Sequence, residues 1–189
     1  RLAYSTVSNL SYIVFGAALM TPAGLAGGLS HMIFHAFIKI TLFYCAGAVL
    51  VGTHRQYVRE LDGLGKKMPG VFAAFTGGSL ALTGIPGFPG FISKWNLCTA
   101  AVKEGSAMAL TGIAALLISA LLTAVYLFTT IIRAYYPGKD FDYAALDSVH
   151  DPGMLMKIPL TVFSLLIIVM GIYSVPLMQF LEKIASGWI

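Results

Sequence analysis

From Ala107 to Ile132 the chain carries no Lys, Arg, Asp, Glu or His. No other feature constrains the fold as much. The hydrocarbon core of a bilayer is about 30 Å thick, and a helix rising 1.5 Å per residue crosses it with roughly 20 mostly apolar residues. Composition carries the same point to the whole chain. Of 189 residues, 58% are hydrophobic and 11% are charged, whereas an ordinary soluble domain has about 25% charged residues. That leaves too little charge to solvate a compact surface, so a water-soluble enzyme and a disordered chain are excluded. Two cysteines are too few for a disulfide scaffold. Cys45 and Cys98 both sit in apolar stretches and do not report on redox compartment. The expectation is an all-α integral membrane protein, with residues 1–189 as a single transmembrane domain.

Five candidate spans follow from the apolar runs. Helix A covers about 2–20 and is polar for a span, with Ser5, Thr6, Ser8, Asn9 and Ser11 crowded together. Such a helix faces protein rather than lipid. Thr21-Pro22-Ala23-Gly24 ends it. Helix B covers about 25–52, helix D about 107–133 and helix E about 158–181, with Pro176 late in the last. Helix C covers about 70–103 and starts after Pro69, a good first-turn residue. It is broken near 85–90 by Gly84-Ile85-Pro86-Gly87-Phe88-Pro89-Gly90, because Pro removes a donor and Gly is a poor helix former. Each half of helix C is about 20 Å long at 1.5 Å per residue, short for a span; together they make one discontinuous helix. No signal peptide is visible. Arg1 stands at a helix start with no Met before it, which suggests a fragment or a processed product.

Charge distribution agrees with five crossings. Arg1, loop B–C (Arg55, Arg59, Lys66, Lys67) and loop D–E (Arg133, Lys139, Lys157) then share one side, and Lys103 and Lys183 lie on the other. The positive-inside rule makes loops 53–69 and 134–157 cytoplasmic. The net charge of +4 is therefore mostly topology, and no nucleic-acid partner is expected. Loop D–E is acidic and is expected to be a solvated connector.

All eight acidic residues fall in loops or at helix ends. The intramembrane ionisable set is His31, His35, Lys39 and Lys94. A lysine at membrane depth costs at least about 2.5–3.5 kcal/mol on insertion scales and marks an ion or proton path by default. Lys39 is too far from either end of helix B to snorkel. His31, His35 and Lys39 are spaced i, i+4, i+8, so they share one helix face and span about 12 Å along the axis. Imidazole holds or passes a proton near neutral pH, and a desolvated lysine is able to become neutral. A column of such groups suits a proton relay. A metal or haem site is not expected, because no carboxylate or Cys shares the face and Lys39 would repel a cation.

The break has its own logic. An interrupted helix leaves backbone N–H and C=O groups free at membrane depth, which is tolerated only against protein or a cavity, and it brings partial helix-end charges to the midplane. Lys94 lies just after Gly90, where the first turn of the resumed half is expected and a positive charge opposes the helix dipole.

Three motifs then coincide: Arg1-Leu2-Ala3-Tyr4-Ser5-Thr6-Val7-Ser8; His31-x3-His35-Ala36-x2-Lys39-x2-Leu42-Phe43; and Gly84-Ile85-Pro86-Gly87-Phe88-Pro89-Gly90-Phe91-Ile92-Ser93-Lys94-Trp95. Over roughly residues 1–133 the chain resembles the proton-translocating antiporter-like membrane subunits of respiratory complex I. The same family includes the membrane subunits of energy-converting hydrogenases and formate hydrogenlyase, and the large subunits of Mrp antiporters. The resemblance implies two inverted repeats, each holding one broken helix. This chain would be the second repeat without its first helix, plus a terminal helix. His31 and His35 match the family's relay histidines, Lys39 its central lysine, and Lys94 the ionisable residue of the second broken helix, which is Lys in some members and Glu in others. Pro86-Gly87 departs from a common Pro-Pro. The first repeat, with its Glu–Lys pair, and the long lateral helix of the largest sister do not appear.

The resemblance implies a proton-translocating subunit, or a fragment of one, in a redox-driven membrane complex such as an NADH:quinone oxidoreductase (respiratory chain) or a hydrogenase. This chain would carry the central-to-exit part of the proton path and no catalytic site of its own. Redox cofactors are expected only in partner subunits. The partners would be other membrane subunits, including the missing N-terminal half or sister antiporter-like subunits, and the lipid of a prokaryotic inner membrane. The alternative is an Mrp-type cation/proton antiporter subunit, or another secondary transporter with a midplane site at the broken helix. Ser79, Thr83 and Ser93 near the break would be its polar groups. A purely structural scaffold would not need Lys39 buried.

Overall fold

The computed structural model describes residues 1–138 and 141–188 and is helical throughout its ordered elements. The helices are α1 (Leu2–Ala18), α2 (Pro22–Thr53), α3 (Leu64–Lys67), α4 (Pro69–Thr83), α5 (Pro89–Glu104), α6 (Ala107–Tyr135), α7 (Met154–Ile172) and α8 (Ser174–Ala185). Short 3-10 turns at Val58–Glu60 and Tyr143–Leu146 interrupt the two long loops. The loop cation Lys139 lies outside the described residues.

Local chemistry sets the ends. The Thr21 side chain accepts from the Gly24 N–H at 3.1 Å, and Pro22 takes the first helical position, so α2 starts earlier than its apolar run. Ser106 caps α6 in the same way through the Ala109 N–H. Gly84 closes α4 in the left-handed region at φ 93, a conformation Gly adopts without a Cβ clash.

Among the described residues three helices, α2, α6 and α7, are long and apolar enough to cross a bilayer. Their order inverts that of a soluble protein. α2 has the lowest mean hydropathy of the three, 1.8 against 2.3 for the other two, and is the most buried. It runs through the middle, packed against α1, α4, α5, α7 and α8. α6 and α7 turn Leu117, Leu121, Val125, Leu165 and Val169 outward. An apolar exterior around a more polar centre is the arrangement lipid demands.

The single helix expected over 158–181 is two helices here. α7 begins at Met154, ends at Ile172, and α8 restarts at Ser174. Pro176 lacks an N–H, and its ring clashes with the carbonyl four residues back, that of Ile172, so the helix breaks there. Helix C likewise resolves into α4 and α5. The non-helical stretch runs from Gly84 to Phe88, while Pro89 and Gly90 open α5.

The two cation-bearing loops gather at one end. Arg133 forks onto Asp62 at 2.8 and 2.9 Å, and Lys67 reaches Asp147 at 2.8 Å. Asp151 accepts from the Gly70 N–H at the start of α4 at 3.1 Å and lies 3.6 Å from Lys157. The loop expected to be a solvated connector therefore lends two carboxylates to the fold. Glu60 accepts from the Tyr57 and Gln56 N–H groups, and the first of these bonds chiefly holds its carboxyl below the usual carboxylate range. Beneath these loops Leu64, Met68, Val71, Phe72, Leu146 and Leu160 form one apolar cluster. Lys103 lies in the last turn of α5, beside a second cluster of Leu19, Ala100, Ala101 and Ala109.

Candidate functional site

The four ionisable residues singled out from the sequence are all buried: His31 is 2% exposed, His35 5%, Lys39 5% and Lys94 7%. The first three descend one face of α2, and Lys94 comes from α5. The structure does not bring them into a single direct chain of hydrogen bonds. It groups them around two centres.

The first centre joins α2 to the broken helix. His31 Nδ1 lies 2.9 Å from Ser93 Oγ, and its ring stacks on His35 with centroids 5.7 Å apart and planes 25° apart. Tyr12 of α1 packs edge-on against His31 at 5.2 Å. The Tyr12 ring also lies 5.8 Å from Lys94 Nζ, within cation–π range.

Lys94 itself differs from the expectation. It stands in the second turn of α5, and its ammonium turns back across the break. Nζ donates to the Leu82 carbonyl at 2.7 Å and the Thr83 carbonyl at 2.9 Å. Those are last-turn carbonyls of α4, which have no partner within their own helix and stand at the negative end of its dipole. The charge therefore complements one half-helix instead of opposing the other. The halves approach closely enough that a Cβ at Gly90 would overlap the Ala81 carbonyl oxygen. That contact explains the Gly next to Pro89 better than chain flexibility does.

The second centre is Lys39. Its Nζ donates to the Leu2 carbonyl at 2.9 Å and to Ser5 Oγ, both in the opening turn of α1. The polar stripe on α1 thus has a use: Ser5, Asn9 and Tyr12 are its buried polar face. Ser8, at the edge of that face, bonds Ser119 of α6 across 2.8 Å. Sequence reasoning identified the stripe as facing protein but did not match Ser5 with Lys39, Tyr12 with Lys94, or Ser93 with His31. Helical spacing carries no information about which helices become neighbours.

Several buried polar atoms find no partner among the described residues: His31 Nε2, both ring nitrogens of His35, Tyr12 Oη, Ser79 Oγ, Thr83 Oγ1 and Tyr126 Oη. Buried polar groups are satisfied in most proteins, by water where not by protein. His35 thus has both ring nitrogens free and His31 only Nε2, since Ser93 already meets its Nδ1. No cluster of three His, Cys, Asp or Glu suited to a metal occurs among the described residues.

Residues 1–123 match the NADH:quinone oxidoreductase/Mrp antiporter transmembrane family. The chain is 34% identical over 196 residues to NADH-quinone oxidoreductase subunit N of Desulforudis audaxviator, an overlap that takes in 99% of this chain and 38% of that protein. It is 37% identical over 194 residues to F(420)H(2) dehydrogenase subunit L of Methanosarcina mazei, covering 96% of this chain and 28% of that one. A chain of respiratory complex I from Thermus thermophilus superimposes with a TM-score of 0.83 at 24% identity, covering 98% of this chain and 38% of that chain, which shows a shared fold. This chain spans about two-fifths or less of the length of each of these relatives. The family match covers the buried lysines, the paired histidines and the broken helix, and on it the chain belongs to the NADH:quinone oxidoreductase/Mrp antiporter transmembrane family.

Proposed function

We propose that this chain is part of a proton-translocating subunit and carries the central-to-exit section of its path, from Lys39 through His35 and His31 to Lys94. The observation that carries the reading is the placement of two buried lysines, each held by carbonyl or hydroxyl oxygens instead of a carboxylate, on either side of a stacked histidine pair. A lysine held by neutral oxygens has no counter-ion to lock it in the charged form, so in a low-dielectric site it is able to lose and regain a proton. Neutral imidazoles between them accept on one nitrogen and donate from the other.

The driving energy would come from a redox reaction in partner subunits, where the redox cofactors would sit. Relatives named as subunits of an NADH-quinone oxidoreductase and an F(420)H(2) dehydrogenase support that assignment. The subunit would sit in a prokaryotic inner membrane among sister membrane subunits, with the cation-rich end cytoplasmic by the positive-inside rule. The test is proton pumping by the intact assembly carrying Lys39→Ala or Lys94→Ala. Each variant is expected to lose most pumping while the assembly still forms. Unchanged pumping with both substitutions would sink the relay.

A further inference from the structure

Tyr12 belongs to none of the motifs, yet from α1 it lies against both His31 of α2 and Lys94 of α5. It is 5% exposed. Its ring takes His31 edge-on at 5.2 Å, with planes 66° apart, and lies 5.8 Å from the Lys94 ammonium. The face of an aromatic ring carries partial negative charge and its edge partial positive charge. One ring therefore offers a cation a stabilising face and still packs against an imidazole. A cation–π contact is worth more where water is excluded, and no carboxylate among the described residues approaches Lys94.

We propose that Tyr12 is a positioning residue of the proton path, its ring setting the distance between Lys94 and His31 across α1, α2 and α5. The proposal rests on the reading of those two residues as proton carriers. When Lys94 is charged, the ring and the Leu82 and Thr83 carbonyls hold the ammonium on the His31 side of the break. An aliphatic side chain of the same bulk would fill the space but offer no such face.

The experiment measures protons translocated per substrate oxidised by the intact assembly in proteoliposomes, with subunit composition checked for each variant. Tyr12→Phe keeps the ring and is expected to retain the native ratio. Tyr12→Met and Tyr12→Leu keep apolar bulk without the ring, and are expected to lower translocation about tenfold while redox turnover persists. A native ratio in either aliphatic variant would overturn the proposal. So would a loss in Tyr12→Phe equal to that in Tyr12→Met, which would move the role to the hydroxyl. Failure of both aliphatic variants to assemble would assign the ring to folding and overturn it as well. Lys94→Ala run alongside separates the two levels. If it pumps normally the relay itself is wrong, and if it fails while Tyr12→Met pumps, only the role of Tyr12 is wrong.

Discussion

Lys94 and Leu82 lie on opposite sides of a helix break, and the lysine ammonium donates to the leucine carbonyl at 2.7 Å. The bond makes the break a defined joint. A side chain from one half-helix completes the open end of the other, and Thr83 shares the same ammonium at 2.9 Å.

Substitution at Lys94 should therefore act through those carbonyls as well as through proton transfer. Lys94→Gln retains a donor, whereas Lys94→Met leaves both carbonyls unpaired. A buried acceptor left without a partner costs about 1–3 kcal/mol. Thermal unfolding of the purified assembly is expected to show Lys94→Met more destabilised than Lys94→Gln. Equal midpoints would show that the lysine does not cap α4.

Gly90→Ala should disturb the joint without touching an ionisable group. Its Cβ meets the Ala81 carbonyl, so α4 and α5 must separate, an overpacking cost of about 1–3 kcal/mol. Gly77→Ala is the control, since nothing lies within 4 Å of the added Cβ and Ala is favoured over Gly in a helix interior by about 0.5–1 kcal/mol. Lower thermal stability is expected for the first variant and unchanged or higher stability for the second.

Ser93→Ala removes the partner of His31 Nδ1 at 2.9 Å. That bond selects which ring nitrogen carries the proton. Proton translocation by the assembly should fall several-fold, as for loss of a hydrogen bond worth about 1 kcal/mol, with Ser93→Thr closer to native because it keeps the hydroxyl. Native rates in Ser93→Ala would show that the tautomer is set elsewhere.

At the cation-rich end, the Lys67 ammonium holds the Asp147 carboxyl below its ordinary value of 3.8. A depressed folded value means the contact stabilises the fold at pH above 3.8 and is lost as pH falls through the lower folded value. Protease cleavage within loop 141–151 is expected to rise on acidification into that window, and to rise less in Asp147→Asn. The pair is exposed, so the effect is local and is screened by salt.

Much of the candidate site was legible in the chain because a membrane makes residue chemistry informative. Charge is so costly at depth that Lys39 and Lys94 stood out against every other cation. The four-residue spacing of His31, His35 and Lys39 also placed them on one face without reference to any partner. The proline at 176 was visible too, yet its consequence, a full break into α7 and α8, depended on whether neighbouring helices would hold the span continuous. The charge of Lys94 was harder still. Counted along its own helix it opposes a dipole; only the fold shows it spanning to α4.

Apolar run length, the Pro-Gly cluster and the isolated intramembrane charges determine the helices, the discontinuity and the candidate carriers, since each follows from local cost in lipid. The oxygens that hold Lys39 and Lys94, and the tyrosine ring between Lys94 and His31, were decided by tertiary structure alone. Those partners lie on other helices, and side-chain periodicity fixes a direction around an axis but not the helix that packs against it.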